Sequence, residues 1–368
     1  MSSQAGEKWK GYAVRDIKNW DKFEVIEFHP KQQEDYDIDI KIEFCGVCGS
    51  DVHTITGGWG EPLLPLIPGH EIVGHVVRVG PKVTSFKVGD RAGVGAQVCS
   101  CFKCAPCKSD SEQYCLNGVS TYNAKYPNGD VAQGGYSTAI RAHERFVFPL
   151  PKELPLEEIA PMLCAGLTVY SPLVRNGTGP GKRVGVVGIG GLGHYALQFA
   201  RALGAEQVVA FSHSSNKKDD ALELGATDFV ITGGDDFAEP WKGKLDLIIC
   251  TADVSHGIPL TDLITTLGVH GHFIMVAIPD ESLPSLHSAQ LLSNGALIGG
   301  SHIGSKKEAI AMLELAAKKK VKSYIELLPM KDAGNAVRRV KDNSVRYRHV
   351  LKYVPLSSSS PPTDAWCA

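Results

Sequence analysis

The stretch Arg183-Val-Gly-Val-Val-Gly188-Ile-Gly190-Gly-Leu-Gly193 opens as a valine-rich apolar run and closes in a cluster of glycines. A helical pattern follows at once. Leu192, Ala196, Phe199, Ala200 and Leu203 recur at the spacing of one helix face, and Gly204 stands where a helix C-terminus favours glycine. The stretch therefore reads as strand, tight turn and helix. Gly188, Gly190 and Gly193 fall on the turn in the order G-x-G-x-x-G, with Gly191 between them. Backbone N–H groups and a helix N-terminus would there face a pyrophosphate. Glycine-rich turns are common, so the motif alone argues little. The strand before it and the helix after it are what point to dinucleotide binding.

Outward from this turn, strand-like runs alternate with helical patterns. Gln207–Ser212 leads to a helix ending near Gly225, and Leu245–Cys250, His272–Ile278 and Ala296–Ser301 follow. Such alternation means βαβ units and a parallel sheet. Lys306–Lys320 reads as a helix with Ala309, Met312, Leu313 and Ala316 on one face. The texture before about Ala165 differs. Asp37–Phe44 alternates apolar with polar residues, Glu71–Val79 is another strand-like run, and glycines and prolines recur between them. Residues 1–165 are therefore expected to be β-rich, a small barrel or sandwich. Residues 321–354 return to strand-like text that can rejoin this first unit, and the Ser/Pro tail from Leu356 is expected to fray.

The chain has 368 residues, 43% hydrophobic and 21% charged, enough for two domains with substantial cores. A formal net charge of -2 calls for no nucleic acid and no acidic membrane surface. No apolar run approaches the ~20 residues of a membrane helix. The first residues lack a signal-peptide core, and Cys367, next to last, makes no prenylation motif. A cytoplasmic protein is expected. There, ten cysteines suggest metal or redox chemistry more than disulfides.

Cys101-x-x-Cys104-x-x-Cys107 with Cys115 beyond is the most specific pattern in the chain. Four such thiols can close a tetrahedral cage on one zinc. Scattered core cysteines or a disulfide pair are the plain alternative, but Lys103, Lys108, Ser109 and Asp110 make the loop poor core material. An iron–sulfur cluster would want a different fourth spacing. Four thiolates leave no open position, so such a metal is structural and the chemistry lies elsewhere.

A looser set consists of Cys48, His70, Glu71 and Cys164. Two thiolates and one imidazole would leave a fourth zinc position free for water or an alcohol oxygen. Spacing alone does not select these residues. The order of motifs does more. Gly46-Val-Cys48-Gly-Ser50-Asp51-Val-His53, Pro68-Gly-His70-Glu71-Ile-Val-Gly74, the four-cysteine lobe, Cys164-Ala-Gly-Leu-Thr168-Val-Tyr170 and the Gly188–Gly193 turn together resemble the zinc-containing medium-chain alcohol dehydrogenases over roughly residues 10–354. Within that superfamily the chain looks most like the NADP-dependent cinnamyl alcohol dehydrogenase group, in whose style are Gly299-Gly-Ser301-His-Ile303-Gly and Val345-Arg-Tyr-Arg-His-Val350.

The resemblance implies an α/β protein: a GroES-like β-rich catalytic domain plus a Rossmann doubly wound parallel-sheet domain. Residues 1–164 and 305–368 would form the first, with a structural zinc lobe at about 95–120, and residues 165–304 the second. It implies two zinc ions per chain, a catalytic one on Cys48, His70 and Cys164, with Glu71 as alternate or outer ligand, and a structural one on the four-cysteine lobe. Asp51 would orient the ligating imidazole. Ser50 would take the proton that leaves the alcohol and His53 would deliver it to solvent, while hydride passes to the nicotinamide. Thr168, Thr251, Ser301 and Ile303 would line the cofactor. Trp59 would stand near the substrate channel. Similar proteins are usually homodimers, and the run Ala296–Ser301 could supply the edge.

The end of the second Rossmann strand decides the cofactor. An NAD site wants Asp or Glu there, to grip the ribose hydroxyl. Here the position is Ser212, followed by His213 and Lys217, and no carboxylate occurs before Asp219. Hydroxyls and a cation accommodate a 2′-phosphate, so Ser212, His213 and Lys217 are assigned to NADP(H). Gly49 departs from the pattern, since many relatives carry a basic or imidazole side chain there. A small-molecule alcohol or aldehyde, aromatic or medium-chain aliphatic, is the expected substrate. A polyol dehydrogenase, a reductase of a conjugated C=C or iminium bond, and a non-catalytic protein that binds zinc and a nucleotide are the competing readings. Ser50 and His53 together argue against the reductase.

Overall fold

The structure is a computed structural model and describes residues 7–234, 236–253, 257–280 and 282–354. The Ser/Pro tail and Cys367 lie outside them.

Two sheets carry the chain. The first has seven strands: β1 (Asp37–Val47), β2 (Glu71–Val79), β3 (Arg91–Val94), β4 (Ala139–His143), β5 (Val147–Pro149), and, from the far end of the chain, β12 (Ile325–Pro329) and β13 (Arg348–Lys352). Its path runs β5-β3-β2-β1-β13-β12, with β4 paired to the outer half of β1. In β1, Ile38, Ile40 and Ile42 are buried as expected, but so are the alternating Asp37 and Asp39, which pair with Lys31 and Arg141. The return of residues 321–354 is also seen: His349–Lys352 pair antiparallel with Phe44–Val47.

The second sheet has six parallel strands: β6 (Arg183–Val187), β7 (Gln207–Ser212), β8 (Asp228–Ile231), β9 (Leu245–Cys250), β10 (Leu267–Met275) and β11 (Leu297–Gly300). Their order, β8-β7-β6-β9-β10-β11, reverses direction between β6 and β9. At such a switch point the loops part and leave a crevice at the carboxyl ends of the strands. The glycine turn leaves β6 into this crevice and the helix Gly193–Ala202 follows it. The helix Lys306–Lys319 buries Ala309, Met312, Leu313 and Ala316, the face read from its sequence.

One stretch differs from expectation. Leu156–Ala165, read as the end of the β-rich half, belongs to a helix that runs on to Arg175. Pro161 and Pro172 lie inside it, and the turn Met162–Gly166 widens to a π-helix. Proline removes a ladder hydrogen bond and breaks the usual helical signal in the sequence. The widened turn carries Cys164 and packs Gly166 against Met312 and Phe199. One apolar core runs from Phe44 and Val73 of the first sheet through this helix to Val184 and Val208 of the second.

Candidate active site

The metal-ligand cluster forms where β1, β2 and the π turn meet. Cys48 ends the loop after β1 and opens a helix, Gly49–Ile55. Gly69, at φ +101, turns the chain so that His70 and Glu71 face Cys48; a Cβ there would strike Tyr136 and Cys45. Asp51 is buried and holds the loops together: it accepts from the N–H of Cys48 at 2.9 Å, from the N–H of Gly69 at 3.2 Å and from His70 Nδ1 at 3.2 Å. With Nδ1 donating, His70 presents a bare Nε2 to the cluster.

The spacing fits a tetrahedral ion. Bonds of about 2.3 Å from zinc to sulfur put two thiolates about 3.8 Å apart. Cys48 Sγ and Cys164 Sγ are 3.9 Å apart, and His70 Nε2 is 3.1 Å from Cys164 Sγ. The donor atoms of Cys48, His70, Glu71 and Cys164 all lie within 4.8 Å of one another. Hydrogen bonding from Cys164 and the adjacent imidazole hold the Cys48 thiol well below its ordinary value, so a thiolate is ready. Glu71 is fully buried and its Oε2 has no protein partner. That oxygen fits only because Gly46 has no side chain. Its other oxygen pairs with buried Arg348, which opposes the upward pull of burial on the Glu71 carboxyl.

The second cluster is equally regular. Cys104 and Cys115 are 3.7 Å apart, and Cys115 and Cys101 are 3.5 Å apart. Backbone N–H groups of Lys103 and Cys104 pull the Cys101 thiol down to about 6. Four thiols and no carboxylate or imidazole suit a closed structural zinc.

The glycine turn sits on the opposite wall. Gly193 must be glycine because a Cβ would stand 2.0 Å from the Gly188 carbonyl. A Cβ at Gly190, by contrast, would meet no protein atom, which is the open side a phosphate needs. Thr251 donates to the carbonyl of Gly188 at 2.8 Å and pins the turn. Lys217 reaches back to the Ile189 carbonyl at 2.6 Å, and Ser212 is buried at the end of β7. His213 beside it is exposed.

Between the walls runs a cleft of about 740 Å³. It brings together Ser50, His53, Trp59, Thr168, Thr251, Cys48, His70 and Cys164. Ser301 and Ile303 line its other end, and the Ser301 hydroxyl is buried without a partner. Ser212, His213 and Lys217 lie outside the cleft lining, beyond the glycine turn, where an adenosine would end. Three residues at the site went unread in the sequence: Arg348, Asp253 and Asp280. Arg348 bridges the walls, because it pairs with Glu71 while a Cβ on Gly191 would stand 2.8 Å from its Nη1. The two aspartates both bind His53.

Residues 34–152 match the alcohol dehydrogenase GroES-like domain, and residues 191–318 match the zinc-binding dehydrogenase domain. The chain belongs to the zinc-binding alcohol dehydrogenases. It is 44% identical to NADP-dependent alcohol dehydrogenase 6 of Saccharomyces cerevisiae, over 94% of this chain and 96% of that one. It is 41% identical to a probable cinnamyl alcohol dehydrogenase of Oryza sativa subsp. japonica, over 95% of each. A cinnamyl alcohol dehydrogenase structure from Sorghum bicolor superposes with a TM-score of 0.89 at 38% identity, covering 94% of this chain and 98% of the other. The Helicobacter pylori enzyme complexed with NADP(H) does so at 0.86 and 34%, again over 94% and 98%. These likenesses bear out the GroES-like and Rossmann expectation for the fold.

Proposed function

We propose that this chain interconverts primary alcohols and aldehydes, cinnamyl-type aromatic or medium-chain, with NADP(H), and holds two zinc ions. Cys48, His70 and Cys164 would hold the catalytic ion, with Glu71 at its back, and Cys101, Cys104, Cys107 and Cys115 the structural one. The observation that carries the reading is the bridge by Arg348. It places the donor cluster one side chain away from the glycine turn.

A zinc in the first cluster supplies Lewis-acid polarisation of the substrate oxygen, and NADP(H) on the glycine turn supplies or accepts the hydride. The chain's own residues do the rest. Ser50 would exchange the substrate proton, a role its 3.7 Å distance from Oγ to Cys48 Sγ supports. His53, on the next turn of the same helix, connects that position with solvent. Asp51 fixes His70. Trp59, Tyr122 and Ile278 give the cleft aromatic and aliphatic walls, which suits an arylpropenal or an alkyl chain better than a polyol.

NADP(H) over NAD(H) rests on Ser212. Its buried hydroxyl stands where a carboxylate would repel a 2′-phosphate, and Lys217 adds a cation. Nearby Asp220 is occupied by Arg346 at 2.7 Å. The proposal includes a homodimer. The edge strand β11 exposes Leu297 and Ile298, and an open apolar edge invites a second copy. It also includes a cytoplasmic location: the nine described cysteines form no disulfide with one another, which suits a reducing compartment. Among the described residues no helix is long and apolar enough to cross a membrane.

Metal analysis combined with NADPH oxidation by cinnamaldehyde and hexanal, and NADP+ reduction by mannitol, tests the reading. Zinc at both clusters with aldehyde reduction supports it. Zinc with turnover on mannitol alone would make it a polyol dehydrogenase, and no turnover on any would make it a binding protein.

A further inference from the structure

His53 has a carboxylate on each ring nitrogen. Its Nε2 is 2.8 Å from Asp253 Oδ2 and its Nδ1 is 2.7 Å from Asp280 Oδ1. Both aspartates come from the far wall, on the loops after β9 and β10. Trp59 stacks on the ring, with centroids 4.9 Å apart and planes within 3°, and its Nε1–H donates to the Ile278 carbonyl at 3.2 Å. Two glycines on the near wall leave room. A Cβ on Gly58 would meet Asp280 Oδ1 at 2.7 Å, and one on Gly49 would meet Asp253 Oδ2 at 3.8 Å. Neither glycine has a left-handed φ, so a side chain at Gly58 would displace the Asp280 carboxylate rather than strain the backbone.

An ionised carboxylate only accepts hydrogen bonds. An imidazole bonded to two of them through both nitrogens must donate twice, and only the imidazolium does so. Among the described residues, the charged groups that face the ring are Asp253 and Asp280; Trp59 is not titratable. The hydrogen bond to Asp253 first, and Asp280 after it, hold His53 above its ordinary value against the pull of burial.

We propose that Asp253 and Asp280 are a pair of positioning residues that keep His53 protonated, so that the relay rests loaded for aldehyde reduction. The inference rests on the alcohol–aldehyde reading of the site. In reduction the C=O π bond breaks, the carbon gains a hydride and the oxygen gains a proton, while NADPH is oxidised to NADP+. His53 is the group that replaces the proton Ser50 gives up, and solvent reloads it: the side chains of Asp253 and Asp280 are 43% and 48% exposed. In oxidation the ring must shed a proton before it can take one, which two carboxylates oppose. The pair thus biases the site toward reduction near neutral pH and leaves oxidation to alkaline pH.

The test is an NMR titration of His53 in zinc-loaded, histidine-labelled full-length protein, with the signal assigned by its loss in His53→Asn. The wild-type midpoint should lie above the ordinary value of about 6.5. Asp253→Asn and Asp280→Asn should each lower it, and the double variant should lower it by about one pH unit or more. Asp280→Gly combined with Gly58→Asp returns a carboxylate from the other wall and should recover the midpoint, which a fold defect would not. The upper break in the pH profile of cinnamaldehyde reduction should move down with the NMR midpoint, with zinc content unchanged. A wild-type midpoint at or below about 6.5, or an unmoved midpoint in the double variant, overturns the inference. Wild-type protein with the raised midpoint but no reductase activity overturns the proposed function instead.

Discussion

Arg348 is ion-paired with Glu71 where water does not reach: the side chains are 4% and 0% exposed. One member belongs to the metal cluster and the other lies against Gly191 of the glycine turn. Removing one partner of a buried pair strands a charge, at a cost of about 3–5 kcal/mol. Arg348→Met should therefore lower unfolding stability by about that amount. Glu71→Gln in the same chain should recover much of it, because the stranded charge is gone. Urea denaturation of the two single variants and the double variant measures the coupling. Additive losses would show that the pair is not a unit.

Ser212→Asp should reverse the cofactor preference. The new carboxylate would repel a 2′-phosphate and accept from a ribose hydroxyl. The ratio of kcat/KM with NADPH to that with NADH should fall by about two orders of magnitude or more, roughly 3 kcal/mol. Steady-state kinetics with one aldehyde and both cofactors read this directly. An unchanged ratio removes Ser212 from the phosphate site.

Cys104→Ser should remove the structural zinc and leave the catalytic one. Structural zinc contributes folding energy in its own right. Metal content should fall by about one equivalent and the thermal midpoint should drop by several degrees. Residual activity at low temperature should persist, since the cage has no open position for chemistry. Loss of both metals together would make the two clusters interdependent.

His194 is buried directly after Gly193, stacked on Tyr347, and burial followed by the charge of Arg348 pushes its pKa down to about 3. A histidine with a depressed folded value resists protonation, whereas the unfolded chain takes up the proton near its ordinary value. Its contribution is therefore present above pH ~6.5 and is lost as pH falls from there toward about 3. Between pH ~6.5 and ~5 that amounts to at most one proton, about 1.4 kcal/mol per pH unit. His194→Asn should flatten the fall in stability over this range relative to wild type. Denaturation curves at pH 6.5, 5.8 and 5.0, chosen from about this window, compare the two slopes.

The parts legible in the sequence are those with a local cause. The glycine turn, its flanking strand and helix, the helix face of Lys306–Lys319 and the four-cysteine lobe each sit within one short stretch. Cys48 and Cys164 are separated by 116 positions, so spacing could not join them; only the order of surrounding motifs did. Leu156–Arg175 was obscured by its two internal prolines, and β8, a short half-exposed edge, carried too weak an alternation to be read. Asp253 and Asp280 stand in loops about 200 residues from His53, and a loop aspartate has no periodicity to mark it. Nothing in the sequence marks them, since the approach of Asp280 to Gly58 is seen only in the fold.

The central claim is that hydride transfer occurs where Cys48, His70 and Cys164 meet the glycine turn. The most direct measurement is the initial rate of NADPH oxidation by cinnamaldehyde, for zinc-replete wild type and for Cys164→Ala with its structural zinc intact. The account predicts turnover by wild type and a loss of about three orders of magnitude or more in the variant, the scale of removing a Lewis acid worth several kcal/mol. A variant that keeps its zinc-lobe fold and reduces cinnamaldehyde at the wild-type rate would contradict it.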